Sequence, residues 1–497
     1  MTTTLSAATP TTQPTGASLA FTSDDPITKQ ALALLAEGKF TEARTLLATD
    51  DGHADPEVVQ AREEMKEVLR RTRRDYAVSP EDMLKKIQRS IPDATAADVE
   101  RWQKEGVLQN RIVDGQVAYF RREPVNLFRF SDEAKQRREK AGKAPKVEKF
   151  ALQDHLKQVI AEAERTGQTE VTPIKHRIKY SATIAPNSPG AKVDSLVRCW
   201  LPFPQEYRQQ RDVKLISSSP EAAFVAPTSK GETTITGTPQ RTVYLEQRVT
   251  DPSKPMTFAI EFEFTSSAYY PKLDDAKAQP TPQRAELAPY LAERLPHIVF
   301  NEPIKRNVDQ IVGSEMNPLK RARAIFHWID KEIRYHGEEE YSIIPSFAAK
   351  AIACRKGDCG VQATLFITMC RYAGIPARWQ SGWQSKPGEV NMHDWSEIYV
   401  APWGWIPCDA SNGLQQSDDP KVREFYLGHQ DAYRLIVNRD YGCPLVPPVS
   451  SLRSEPADFQ RGEIEIDGMN LFYDDWDYDI EFQWTPLRST PSTTPPK

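Results

Sequence analysis

The stretch from Arg355 to Asn412 constrains the fold of this 497-residue chain more than any other part of the sequence. It begins with G-D-C-G around Cys359 and continues as a nearly uninterrupted apolar run that ends at A-G-I-P. Such a run is typical of a buried helix. Asp358 can cap the start of this helix, which places Cys359 in the first turn. The sequence therefore predicts a thiol at the start of a buried helix.

Two polar residues follow the cysteine on predicted strands. His393 lies 34 residues after Cys359 and begins an alternating strand, and Asp409 lies 16 residues beyond His393, after a turn and a second strand. Each residue alone would more often be a core or surface group than part of a site. In this order, however, a thiol, an imidazole and a carboxylate can serve as nucleophile, base and orienting group. We therefore predict Cys359, His393 and Asp409 as a catalytic triad, with the thiol pKa lowered by the helix start.

The spacing of the two strands raises a question of register. In a simple hairpin, Asp409 would lie opposite Ser396 rather than opposite His393. A β-bulge or a different turn is therefore expected between the strands. We place the bulge at Pro407, because proline cannot donate a hydrogen bond to a strand ladder.

Four motifs of this stretch resemble those of the transglutaminase-like superfamily: G-D-C-G, the helix running into A-G-I-P-A-R, H-D-W-S-E-I-Y-V and G-W-I-P-C-D-A-S. The resemblance covers roughly residues 320 to 415. It implies an α+β, papain-like core in which Cys359 is the nucleophile, His393 the base and Asp409 the orienting group. Three positions beside these residues depart from the pattern of the family: Asp394, Ser396 and Cys408.

The resemblance also implies a reaction, which is thiol-dependent acyl transfer from an amide of a protein or peptide substrate, without a cofactor. The thiolate would attack the amide carbonyl and form a thioester, which water or an amine would then resolve. We favour hydrolysis, because a Cys-His-Asp site in water hydrolyses its thioester unless an amine site is built. The alternatives are a protein-crosslinking transglutaminase and a non-enzymatic scaffold with a degenerate core.

Other polar groups of the stretch are weaker candidates for a site. The backbone N–H of Cys359 is a natural oxyanion donor, and Tyr335 or Tyr341 could supply a second donor, although both tyrosines can equally be core aromatics. We predict no metal site, because the cysteines near His393 lack the spacing of tetrahedral zinc ligands. The acidic and aromatic run 474–479 is more typical of an edge strand than of a calcium site.

The changing residue pattern along the chain predicts an α+β protein with a helical N-terminal region and a β-sandwich ahead of the core. The helical hairpin near the N-terminus resembles one tetratricopeptide unit. The predicted units are a disordered leader (1–24), a helical hairpin with a winged-helix-like unit (25–130), a charged linker or helix (131–168), a β-sandwich (169–275), the transglutaminase-like core (281–445), a C-terminal β extension (446–485) and a disordered tail (486–497).

Composition and charge argue against several classes of protein. Hydrophobic residues make up 39% and charged residues 27% of the chain, as in ordinary globular proteins, and the formal charge of −5 is small for this length. The helix around Trp102 has no basic face, so no nucleic-acid partner is expected. Six cysteines without a C-x-x-C pair are too few for a disulfide scaffold.

The sequence also bears on membranes and location. No apolar run approaches the roughly 20 residues that span a bilayer, so no membrane insertion is expected. The Thr- and Pro-rich N-terminus resembles the leader of an exported protein after signal removal, which favours a periplasmic or secreted location, with a cytoplasmic one as the alternative. No feature of the sequence indicates an oligomeric state.

Overall fold

The computed structural model describes residues 18–49, 52, 55–144 and 150–487. Most of the predicted leader and all but two residues of the predicted tail lie outside these residues. Residues 18–24 are ordered, in contrast to the prediction, because Ser18 donates a hydrogen bond to Glu64 over 2.8 Å and Ala20 is buried beside it.

Three helices form the first part of the described chain. The first two make the predicted hairpin, and the third lies against both of them. A two-helix unit cannot bury its own apolar face, so the third helix supplies the missing cover with Met65 and Val68. The helices are α1 (Pro26–Ala36), α2 (Phe40–Leu47) and α3 (Pro56–Asp75).

Two short helices and a hairpin come next, in the order that the sequence predicts. Ser79 and Thr95 cap the two helices, and Trp102 is fully buried in the cluster that they form with the hairpin. Ser131 then caps a helix made from the charged run. The elements are α4 (Pro80–Gln88), α5 (Ala96–Lys104), β1 (Asn110–Val113), β2 (Gln116–Tyr119), α6 (Glu123–Phe130), α7 (Asp132–Lys140) and α8 (Leu152–Thr166).

Six strands follow in the segment that is predicted as a β-sandwich. Residues on one face of each long strand are buried, as the alternation of the sequence predicts. Tyr180, Trp200 and Phe262 belong to the apolar cluster between the sheets. The strands are β3 (Glu170–Ile184), β4 (Leu196–Pro202), β5 (Gln210–Ser219), β6 (Phe224–Val225), β7 (Thr242–Arg248) and β8 (Met256–Tyr269).

The central stretch and its flanks form a mixed helical and sheet unit. Its longest buried helix begins at Cys359 and packs against a four-stranded sheet and the helices before it. The elements are α9 (Glu302–Val312), α10 (Pro318–Glu332), β9 (Arg334–Tyr335), α11 (Phe347–Cys354), β10 (Lys356–Gly357), α12 (Cys359–Tyr372), β11 (Ala377–Lys386), β12 (Glu389–Val400), β13 (Gly404–Cys408), α13 (Pro420–Arg423) and β14 (Arg434–Asn438).

The last three strands return to the sheets that precede the core. They are β15 (Glu463–Ile466), β16 (Met469–Asn470) and β17 (Trp476–Pro486). Strand β15 pairs with β4 in a sheet of order β16-β15-β4-β7-β6, and β17 pairs with β3 at the edge of a sheet of order β17-β3-β8-β5. The predicted C-terminal extension therefore completes both sheets. Residues 476–479 of the acidic run lie on an edge strand, as expected, and residues 474 and 475 precede it.

The sheet of the central unit has the order β13-β12-β11-β14 and is antiparallel throughout. Val400 pairs with Gly404 and Ser396 with Cys408, with no bulge between these strands. The predicted bulge at Pro407 is therefore wrong. Because β13 is an edge strand, a proline there need not donate to the ladder, so the register continues through it.

The chain as a whole has an α+β fold, with several sheets and many helices. Within the described residues, no helix is both long and apolar enough to cross a membrane.

Candidate active site

The start of α12 is the part of the molecule around which the candidate site is built. Asp358 caps this helix, its Oδ1 accepting a hydrogen bond from the N–H of Val361 over 3.2 Å. Cys359 is the first residue of the helix, and every side chain from there to Arg371 is buried. The predicted capping residue and the predicted position of the thiol are both observed.

Gly360, next to the thiol, is required by close packing. A Cβ atom at this position would overlap the hydroxyl of Tyr341 and would lie 2.8 Å from Asp394 Oδ2. The backbone N–H of Gly360 donates to the Tyr341 hydroxyl over 3.0 Å. The second glycine of the G-D-C-G motif therefore lets two polar side chains approach the helix start.

The thiol of Cys359 donates a hydrogen bond to Asp394 Oδ2 over 3.4 Å. Asp394 is the residue after His393 on β12. In the part of the chain that the structure describes, no hydrogen bond joins the thiol to the imidazole of His393. The structure thus brings the predicted nucleophile to the neighbour of the predicted base.

The electrostatic environment of the thiol differs from the prediction. Burial, followed by the negative charges of Asp394 and Asp358, raises the pKa of the Cys359 thiol well above its ordinary value. The expectation of a lowered pKa is therefore wrong for this arrangement. Two carboxyl groups near the sulfur outweigh the half charge of a helix start, which falls off within one turn.

Tyr341 connects the carboxyl groups near the thiol. Its hydroxyl lies 2.8 Å from Asp358 Oδ1 and 3.2 Å from Asp394 Oδ2, and it already accepts the N–H of Gly360. A hydroxyl has one hydrogen to donate, so the second contact needs a proton on a carboxyl group. Burial, with the charge of Glu338 next, raises the pKa of Asp358 to about 7. Burial and the charge of Asp358 likewise raise the pKa of Asp394.

His393 and Asp409 form a close pair at the other end of the predicted triad. His393 Nε2 and Asp409 Oδ2 are 2.6 Å apart. Asp409 also accepts hydrogen bonds from Arg434 over 2.8 Å and from the side chain and backbone of Asn412 over 2.7 and 3.0 Å. The sequence predicts the pair, but Arg434 lies on β14 outside every motif and was not expected.

Charge and burial determine the protonation of this pair. Burial alone would raise the pKa of Asp409, but the charges of His393 and Arg434 hold it well below its usual range. Burial lowers the pKa of His393, and the charge of Asp409 only partly offsets this effect. At neutral pH the imidazole is thus neutral. With Nε2–H donating to Asp409, Nδ1 is left with the lone pair that a general base needs.

The two predicted oxyanion donors differ in how their hydroxyls are used. The hydroxyl of Tyr341 is held by the two carboxyl groups and the backbone of Gly360. The hydroxyl of Tyr335 has no hydrogen-bond partner among the residues that the structure describes, and its ring lines the same pocket as Cys359. Tyr335 is therefore the better placed of the two to donate to a substrate.

Three consecutive glutamates join the N-terminal helical part to this site. Glu338 and Glu339 both accept hydrogen bonds from Lys350. Glu340 forms ion pairs of 2.8 Å with Arg121 and Arg122, and of 2.9 Å with Arg461. Tyr341 follows directly, so ion pairs from three parts of the chain fix the segment that carries its hydroxyl.

A polar pocket of about 190 Å³ opens beside the thiol. Its lining includes six carboxyl groups in addition to Cys359, Tyr335 and Tyr341: the three consecutive glutamates 338–340, Asp358, Asp394 and Asp458. Among the described residues, no group of three or more histidine, cysteine or acidic side chains is arranged to hold a metal ion.

Comparison with known protein families identifies the central unit. Residues 305–410 match the transglutaminase-like superfamily. These residues form a transglutaminase-like core. The match contains Cys359, His393 and Asp409, and at the level of the family it supports thiol-dependent processing of amides.

Two curated proteins are similar to parts of the chain. An uncharacterized protein of Haemophilus influenzae is 25% identical over 214 residues, which are 36% of this chain and 57% of that protein. A peptide-N(4)-(N-acetyl-beta-glucosaminyl)asparagine amidase of Gallus gallus is 29% identical over 92 residues, 18% of this chain and 13% of that protein. The chain thus spans less than two thirds of either relative.

Two solved structures are also similar. A candidate cysteine protease of Cytophaga hutchinsonii has a TM-score of 0.41 at 16% identity, covering 65% of this chain and 94% of that one. The periplasmic domain of TgpA from Pseudomonas aeruginosa has a TM-score of 0.25 at 15% identity, covering 53% of this chain and 94% of that one.

Proposed function

We propose that this protein is a thiol-dependent amide hydrolase that acts on a peptide or side-chain amide. Cys359 is the nucleophile, His393 the general base and acid, and Asp409 the group that orients the imidazole. The observation that carries the proposal is the 2.6 Å contact between His393 on β12 and Asp409 directly after β13, together with a thiol at a capped helix start that contacts Asp394, the next residue after His393. The family match supports the same chemistry.

The reaction begins from a neutral thiol and a neutral imidazole. Because the pKa of the thiol is raised and that of His393 is lowered, a preformed ion pair is disfavoured. His393 therefore accepts the thiol proton as the sulfur attacks the amide carbonyl carbon. For this step the sulfur has to leave Asp394, which it contacts in the substrate-free structure, and approach Nδ1 of His393.

The tetrahedral intermediate then collapses. The C–N bond breaks, His393 returns the proton to the leaving nitrogen, and a thioester remains on Cys359. Water attacks the thioester and His393 takes a proton from that water. The C–S bond then breaks to release a carboxylic acid, and His393 returns the proton to the sulfur of Cys359. The N–H of Cys359 and the hydroxyl of Tyr335 are the donors that we assign to the oxyanion.

The test is hydrolysis of a mixed peptide pool by the full chain, with product amines and acids measured by mass spectrometry. We expect wild-type protein to cleave peptides, and Cys359→Ser and His393→Ala to abolish cleavage. A labelled primary amine in the same reaction detects crosslinking activity. Amine incorporation without cleavage would replace hydrolysis by amine transfer. If the wild-type protein cleaves peptides no faster than Cys359→Ser and His393→Ala do, the proposal of a thiol-dependent enzyme is contradicted, and a scaffold role is left.

A further inference from the structure

The pocket beside Cys359 contains more carboxyl groups than basic groups that pair with them. Of the acidic side chains that line it, Glu338, Glu339 and Glu340 are all paired with basic groups. Within the described residues, Asp358, Asp394 and Asp458 form no ion pair, although they line the same pocket. Three of the carboxyl groups in this pocket therefore have no direct ion pair.

The two arginines that line the pocket form no ion pair with these three carboxyl groups. Arg122 is engaged with Glu340 over 2.8 Å. Arg461 is engaged with the same carboxylate over 2.9 Å and with Glu455 over 2.6 Å. Each guanidinium is thus already neutralised by a carboxylate next to it.

Among the three carboxyl groups without an ion pair, Asp458 has the fewest contacts. It is only 6% exposed, yet among the described residues no side chain or backbone group forms a hydrogen bond or an ion pair with its carboxyl. Asp394 differs, because Gln460 donates to its Oδ1 over 2.6 Å while the thiol and Tyr341 contact its Oδ2. The charge of Arg461 acts on Asp458 without a direct contact, so the carboxyl group faces the pocket with its hydrogen-bonding capacity free for a ligand.

We propose that this pocket binds a primary ammonium group of the amide substrate, with Asp458 as its main anchor and Asp394 as the second. The inference rests on the proposed amide chemistry for the identity of the substrate. A primary ammonium is a compact cation with three hydrogen-bond donors, which suits two carboxyl groups in a pocket of about 190 Å³. Because Asp394 contacts the thiol over 3.4 Å, the ammonium lies next to the amide under attack.

The protonation of the empty pocket agrees with this assignment. Burial, followed by the charges of Glu455 and Asp394, raises the pKa of Asp458 well above its ordinary value. The carboxyl groups hold protons when no cation is near them, and a cation would favour their ionised forms. In the empty pocket, protons neutralise the carboxyl groups. A bound ammonium group would take over this role as their positively charged partner.

Binding can be measured without turnover, which separates this inference from the proposed hydrolysis. Butylamine hydrochloride, titrated into the full-length protein by calorimetry, is expected to bind, whereas neutral 1-butanol is not. Asp458→Asn should weaken butylammonium binding at least tenfold, and Asp458→Glu should retain most of it. Asp418→Asn removes the same charge at an exposed position and should bind as wild type does.

Two further probes distinguish the sources of the ammonium group. Nα-acetyl-lysinamide presents only a side-chain ammonium, and alaninamide presents only an amino-terminal one. The stronger competitor for butylammonium identifies the kind of substrate. Absence of butylammonium binding to wild type, equal binding by Asp458→Asn, or equal binding of 1-butanol would overturn the proposal. If wild-type protein binds butylammonium but cleaves no peptide, the proposed hydrolysis is contradicted and the ammonium site is not.

Discussion

The thiol of Cys359 is hydrogen-bonded to Asp394 and not, within the described residues, to His393, the residue before it on the same strand. This contact sets the resting state of the nucleophile, because the charge of Asp394 adds to burial in keeping the thiol protonated. Asp394 stands at a position where the sequence departs from the pattern of the family. The departure therefore affects the reactivity of the thiol directly.

Asp394→Asn should make the thiol more acidic. Where Asp394 is ionised, its charge raises the pKa of Cys359, so at alkaline pH Asp394→Asn should contain more thiolate and be alkylated by iodoacetamide several-fold faster than wild type. Mass spectrometry of the peptide containing Cys359 gives the rate, and exposed Cys354 serves as an internal reference. If Asp394→Asn and wild type are alkylated at the same rate across the neutral to alkaline pH range, this role of Asp394 is contradicted.

Asp409→Asn should impair the base. Among the influences that raise the pKa of His393, the charge of Asp409 is the largest, so this substitution lowers that pKa further. It also weakens the contact that orients the imidazole ring. We expect peptide cleavage to fall by about 10² or more. Titration of the His393 ring by NMR checks the direction of the pKa shift. Asn412→Ala leaves the carboxylate in place and should cost much less activity; equal losses would argue against an electrostatic role.

Tyr335→Phe should slow the chemical step. If the free hydroxyl of Tyr335 donates to the oxyanion, its removal should lower kcat by roughly 10² with little change in KM. The matched control is Tyr478→Phe, because Tyr478 lines the same pocket but its hydroxyl contacts the sulfur of Met392 over 3.8 Å. Steady-state kinetics on one cleaved peptide give both constants. A rise in KM alone would assign Tyr335 to substrate binding.

Glu340→Gln should destabilise the protein strongly. It would leave Arg121, Arg122 and Arg461 without their shared carboxylate, at a cost of about 3–5 kcal/mol for a broken buried ion-pair network. Chemical denaturation measures the free energy of unfolding. Glu481→Gln breaks a 2.8 Å pair with Lys179 on the surface and should have little effect. Similar losses in both variants would show that burial is not the cause.

Gly360→Ala should disturb the helix start. The added Cβ would overlap the hydroxyl of Tyr341, and relief of such overpacking typically costs about 1–3 kcal/mol. Gly337→Ala is the comparison, because the nearest atoms there are side-chain atoms at 3.3 and 3.5 Å. Thermal unfolding of both variants tests the difference. A Tm for Gly360→Ala equal to that of wild type would show that Tyr341 can move aside without cost.

The sequence predicts local structure well in the central stretch. The cap at Asp358, the helix from Cys359 and the two strands that carry His393 and Asp409 all follow from patterns that are local in the chain. The assignment of Cys359, His393 and Asp409 as a triad stays a prediction. The bulge at Pro407 is wrong, because the edge position of β13 was not evident from the sequence.

Features that depend on distant residues could not be predicted. Arg434 reaches Asp409 from β14, and no motif marks it. The direction of the thiol pKa shift depends on the burial of Cys359 and on how close the carboxyl group of Asp394 lies, and the strand pattern does not reveal that distance. The positions of α3 and β15 likewise depend on distant elements, because α3 packs against the N-terminal hairpin and β15 pairs with β4.

The pairing of β17 with β3 has a consequence for how this protein is made. Trp476 lies opposite Ile184, so the edge of that sheet is completed by a strand that leaves the ribosome long after its partner. Until then β3 exposes backbone donors and acceptors to other nascent chains. The transglutaminase-like core is synthesised in this interval. The core can therefore fold before this sheet closes, and in chains that stop before β17 the edge of β3 would stay open to aggregation.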